Sequence, residues 1–134
     1  MNNIKKIYII ISLLVLIPFF ISCGAPPPTK KVPPEFKVGQ MSFHKVCSNC
    51  HGPDAMSPSS FKAPRLIDED YLPENFSDND IRDTINNGTD KMPSQKGKFN
   101  ITEINQIIKY LRYSQNAAGL SSNQEIDTDE DDST

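Results

Sequence analysis

The chain predicts a small all-α domain. Three stretches place apolar residues at helical spacing, two of them behind good N-caps, and no stretch alternates apolar and polar residues in the way a half-buried strand would. Prolines 53, 58, 64 and 73 break up everything between the first two helices, so that region reads as loop.

The first helix lies within GQMSFHKVCSNC, from Gly39, with Met41, Phe43 and Val46 at near-helical spacing and Gly52 as its stop. The second opens on Ser77, whose hydroxyl suits an N-cap, with Asp78 and Asp80 in the first turn where the helix dipole favours negative charge. Ile81 and Ile85 share one of its faces, and Gly88 ends it. The third is expected to open on Thr102 and carries Ile104, Ile107, Ile108 and Leu111, the i, i+3, i+4, i+7 stripe of an amphipathic helix.

The flanks of this domain read differently. Lys5 and Lys6 precede an apolar run from Ile7 to Ile21, with the small Ser22 behind it, so residues 1–22 predict an export signal. The run is interrupted by Pro18 and falls short of the roughly 20 residues a helix needs to cross hydrocarbon. The next residue is Cys23, and FISCG resembles the lipobox of bacterial lipoproteins, in which that cysteine is acylated and becomes the new N-terminus. Residues 23–38 then form a proline-rich linker. If extended at about 3.1 Å per residue, its GAPPPTKKVPPEFKV segment reaches roughly 45 Å. At the other end, residues 116–134 close on EIDTDEDD, which has nothing apolar after Ile126 and predicts a disordered acidic tail.

Charge and size narrow the function. The net charge of -3 over 134 residues, with no long basic run, argues against a nucleic-acid partner. The folded part, residues 39–115, is too small to build a comfortable core from its own side chains, and domains of this size rely on a staple. Only Cys47 and Cys50 lie within it, and a CxxC pair is more often a redox or ligand site than a structural bridge.

CSNCH packs Cys47, Cys50 and His51 into five positions. On a helical turn the two thiols project from nearly the same side, and the imidazole follows at once. Two thiols able to add to the two vinyl groups of a haem, beside a nitrogen able to ligate its iron, use all three residues, and the flat macrocycle supplies the missing core. Three alternatives remain. A thioredoxin-like redox pair needs a βαβ setting. A zinc site needs four ligands, and only His44 could join the three. A chance cluster in a structural helix leaves two free cysteines in an exported domain, where such pairs are rare.

Residues 39–113 resemble the class I cytochrome c domain of bacterial electron-transfer proteins. Gly39 and Phe43, CSNCHG, APRL, INNG followed by KMP, and a terminal helix ending IIKYLR carry the resemblance, in that order. It implies three to five helices around one haem c, attached through Cys47 and Cys50. In the family a Met-Pro after the middle helix brings a thioether to the iron face opposite the histidine, and Met92 and Pro93 match it, giving His51 and Met92 as the metal ligands. Met56 lies only five residues beyond His51, and Met41 and His44 sit on the helix that leads into the motif, so none reaches the far face easily; His44 is expected at the surface. The resemblance further implies that the Pro64 carbonyl accepts from the ligand imidazole, that Leu66 packs on the haem, and that Phe43 and Tyr110 meet where the first and last helices cross.

Such a protein is expected to be a membrane-tethered electron carrier rather than an enzyme. It would be exported and held by lipid on a membrane facing the periplasm or cell exterior. It would pass single electrons between a reductase and a terminal oxidase or similar acceptor, with no small-molecule substrate. Two further readings are a fixed haem subunit of a larger oxidoreductase, and a haem ligand-binding sensor or peroxidase if Met92 does not ligate the iron. Lys91, Lys96 and Lys98 surround Met92, where they either keep the loop solvated or form a positive docking rim.

Overall fold

The computed structural model describes residue 25 and residues 27–57 and 63–120. The expected export signal, Cys23 and residues 121–134 of the acidic tail lie outside the described residues. Among the described residues the fold is helical and has no strand, and no helix is long and apolar enough to cross a membrane.

Helix α1 (Lys37–Val46) leads through a turn at Cys47 into the short α2 (Ser48–His51). The motif helix is therefore almost continuous: the amide of Cys47 donates to the carbonyl of Phe43 at 2.8 Å, and that of His51 to Cys47 at 2.9 Å. Helix α3 (Asp78–Asn87) opens as expected on Ser77. Its hydroxyl accepts from the Asp80 amide at 3.2 Å while the Asp80 carboxylate accepts from the Ser77 amide at 2.9 Å, which makes a capping box. Helix α4 (Ile101–Ala117) starts earlier than Thr102. Its cap is Asn100, which accepts from the Glu103 amide at 2.9 Å and donates its own amide to Glu103 at 2.8 Å. Glu103 stands three residues after Asn100 and completes the box, whereas the residue three after Thr102 is Asn105.

The core forms where α1 crosses α4, the most extensive helix pair among the described residues. Phe43 and Tyr110 are each 1% exposed there and their ring centroids lie 5.7 Å apart, as the resemblance implied. Ile81 and Ile85 of α3 join Ile104, Ile107, Ile108 and Leu111 of α4 in the same cluster. The crossing is close because Gly39 has no side chain. A Cβ there would stand 1.9 Å from the carbonyl oxygen of Gln106 and 2.8 Å from Tyr110 Cβ. Backbone cannot move aside as a flexible side chain can, so Gly39→Ala is expected to cost about 3 kcal/mol or more. For a domain of this size that lowers Tm by roughly 10–20 °C, read by thermal unfolding; an unchanged Tm would mean that the crossing is looser than the structure shows.

Packing extends beyond residues 39–115 on both sides. Ahead of α1, the Thr29 amide donates to Asp54 Oδ2 at 3.0 Å, Gln40 Nε2 donates to the Lys30 carbonyl at 2.8 Å, Val32 packs on the core, and the Phe36 ring stacks on Tyr113 at 4.3 Å. Behind residue 115, α4 runs on to Ala117 and Leu120 packs against the core. The distal part of the proline-rich segment is thus laid along the domain as a strap.

Candidate functional site

The motif residues sit where α1 hands over to α2. Cys47 is half-buried against the core and Cys50 is exposed, and both are free thiols. Burial pushes the Cys47 thiol up to about 12, although the charge of nearby Lys98 pulls the other way. His51 is buried, and its Nδ1 lies 3.0 Å from the carbonyl oxygen of Pro64. That carbonyl can only accept, so Nδ1 carries the proton and donates it, which leaves Nε2 with its lone pair open to a metal. Burial lowers the His51 pKa, with the Pro64 bond opposing, so the ring is neutral at neutral pH and no proton has to leave before Nε2 can ligate.

The loop after His51 is held by many short links. Gly52 takes φ 72°, and Asp54, Ala55 and Ser57 follow at φ 56°, 60° and 32°, conformations that non-glycine residues adopt only when their surroundings fix them. Ser57 N–H donates back to the His51 carbonyl at 2.9 Å, its hydroxyl donates to the Ala63 carbonyl, and Leu66 N–H donates to the Ala55 carbonyl at 2.9 Å. Gln115 Nε2 then donates to the Leu66 carbonyl at 3.0 Å, which ties the segment carrying Pro64 and Leu66 to α4. Leu66 is half-buried and packs on the core, while Pro64 itself is exposed.

His44 departs from expectation. It is 6% exposed rather than at the surface, with Nε2 3.4 Å from Asp54 Oδ1 and 3.3 Å from the Asp54 amide nitrogen. Asp54 is also buried, and its other oxygen accepts from the Thr29 amide and hydroxyl. The physical reason is the face it occupies: Gln40, Phe43 and His44 lie at helical spacing on the side of α1 that turns inward.

Met92 lies in the loop between α3 and α4. It is half-buried and is not among the side chains packed on the core, whereas Met56 is, and Met41 is 62% exposed on α1. Lys91, Lys96 and Lys98 are all exposed on the same loop, and Lys98 Nζ donates to Gln95 Oε1 at 2.9 Å.

Of the alternatives left open by the sequence, zinc and thioredoxin chemistry lack their frames among the described residues. No three His, Cys, Asp or Glu side chains converge to hold a metal ion, and no strand flanks the CxxC pair. The donor set fits haem instead: two free thiols three residues apart, and an imidazole with one nitrogen engaged and the other open. The family model described as "Cytochrome C oxidase, cbb3-type, subunit III" matches residues 34–111, more than half of the chain. No curated protein and no solved structure matches it.

Proposed function

Because the chain belongs to the family of the cytochrome c oxidase, cbb3-type, subunit III, and is an electron carrier with covalently bound haem c, we propose that it is a membrane-tethered, single-haem shuttle of a respiratory chain, with His51 and Met92 as its axial ligands. The observation that carries this reading is the 3.0 Å contact from His51 Nδ1 to the Pro64 carbonyl, which fixes the ring in the tautomer whose Nε2 can ligate.

When bound, the haem supplies a one-electron iron couple. The chain's own residues set how it is used. Cys47 and Cys50 hold the group through thioethers, so it stays with the chain through repeated oxidation and reduction. His51 and Met92 would together hold the iron, leaving no position for oxygen or substrate and raising the potential relative to two histidines. Leu66, half-buried beside the segment that holds Pro64, covers apolar surface there. Lys91, Lys96 and Lys98 offer positive charge to an acidic redox partner, a reductase on one side and a terminal oxidase or similar acceptor on the other.

The family's own description favours a second reading, in which the chain is a fixed subunit of an oxidase. Stoichiometric copurification with a catalytic chain selects that reading; isolation as a lone haem protein selects the shuttle.

The tether rests on Cys23 in FISCG, behind residues 1–22 as an export signal, which places the domain on the periplasmic or outer side of a membrane. Stable anchoring takes acyl chains that only this cysteine can accept. Cys23→Ala is therefore expected to move most of the haem protein from the membrane fraction to the soluble exported fraction with its spectrum unchanged. Undiminished membrane association would point to an uncleaved signal or a bound partner.

A further inference from the structure

Helix α3 ends at Gly88, and the residue after it grips Met92 by both polar groups of its backbone. Thr89 N–H donates to the Met92 carbonyl at 2.8 Å, and Met92 N–H donates to Thr89 Oγ1 at 3.0 Å. Lys91 N–H reaches the same hydroxyl at 3.3 Å. Gly88 makes the room: it takes φ +74°, and a Cβ there would stand 2.5 Å from the Met92 carbonyl oxygen and 2.6 Å from the Ser94 nitrogen. Beyond Pro93 the loop is tied back to the same helix, since Gln95 N–H donates to the Ile85 carbonyl at 2.9 Å and Gln95 Nε2 to the Pro93 carbonyl at 2.6 Å.

We propose that Thr89 is a positioning residue for Met92, its hydroxyl fixing the backbone from which the thioether reaches the iron. This rests on the reading of Met92 as the second axial ligand. A methionine side chain is unbranched and turns about three bonds, so where its sulfur sits depends on how firmly its backbone is held. The Thr89 bonds lie at the surface, where water can replace a lost hydroxyl as a hydrogen-bond partner. Removing it therefore frees the ligand's position more than it lowers the stability of the fold.

The test is competition by imidazole for the iron of the oxidised, haem-loaded full chain, followed by its visible spectrum, with Tm recorded alongside. Thr89→Val keeps the shape and loses the hydroxyl. It is expected to bind imidazole roughly tenfold more tightly, the equivalent of one hydrogen bond of about 1.4 kcal/mol, with little change in Tm. Thr89→Ser restores the hydroxyl and is expected to stay within about twofold of the unmodified protein. Thr89→Ala provides a second reading of the lost hydroxyl, expected to match Thr89→Val. Met92→Ala separates the two claims. If it binds imidazole far more tightly while Thr89→Val and Thr89→Ala match the unmodified protein, Thr89 does not position the ligand and the reading of Met92 stands. If Met92→Ala leaves imidazole affinity unchanged, Met92 is not the ligand and the role of Thr89 falls with it.

Discussion

Changing Cys47 and Cys50 together to alanine is expected to abolish retention of haem through acid and organic-solvent extraction. Ligation by His51 and packing against the core are non-covalent, and both are lost when the chain unfolds in acid; only thioether bonds survive that treatment. Either single variant keeps one thiol and is expected to retain haem in lower yield. The two thiols are not equivalent, for Cys47 is half-buried with its pKa pushed up to about 12, whereas Cys50 is exposed. Haem staining of the denatured chain reads the outcome directly. A double variant that still carried haem after extraction would overturn covalent attachment at these residues.

Met92→Ala is expected to leave the haem attached and to open the iron. Loss of the thioether should give a high-spin centre that takes up carbon monoxide stoichiometrically when reduced, with a potential below that of the unmodified protein. Two controls come from the structure. Met41 is 62% exposed on α1, so Met41→Ala should change neither spectrum nor stability. Met56 packs against the core, so Met56→Ala should cost about 1–2 kcal/mol in stability and leave the spectrum as it was. Carbon monoxide binding by the Met56 variant rather than the Met92 variant would exchange the two assignments.

Much of this was legible because its signals are local. The helical stripes, the Ser77 cap and CSNCH each lie within a few consecutive residues. The cap at Asn100 was readable too, through Glu103 three residues on and the better capping side chain, but Thr102 two residues later is also an accepted N-cap type. The burial of His44 had half a signal, its spacing from Phe43 on one helix face. Its neighbour Asp54 is brought to it by a turn in which Asp54 and Ala55 themselves take positive φ, beyond the single glycine, Gly52, that opens it. The acceptor role of Pro64 came only through the family resemblance, and the distance to His51 gives it a geometry. Much of the strap and the ties of α4 were beyond sequence reading, since Lys30, Tyr71 and Phe76 meet their partners through backbone carbonyls and Thr29 meets Asp54 partly through its amide. Arg112, for one, donates to the carbonyls of Tyr71 and Phe76, each at 2.6 Å, and to Asp78 at 2.8 Å. Any residue type offers a backbone carbonyl, so composition carries no trace of such bonds.

The central claim is an iron closed on both faces by His51 and Met92 in a protein that only passes electrons, and the visible spectrum of the purified, unmodified protein tests it most directly. Oxidised and reduced spectra are recorded at neutral pH, the reduced sample with and without carbon monoxide. The account predicts a low-spin c-type spectrum in both states and no change on adding carbon monoxide. A reduced spectrum that shifts with carbon monoxide would contradict it and assign the protein to haem ligand binding instead.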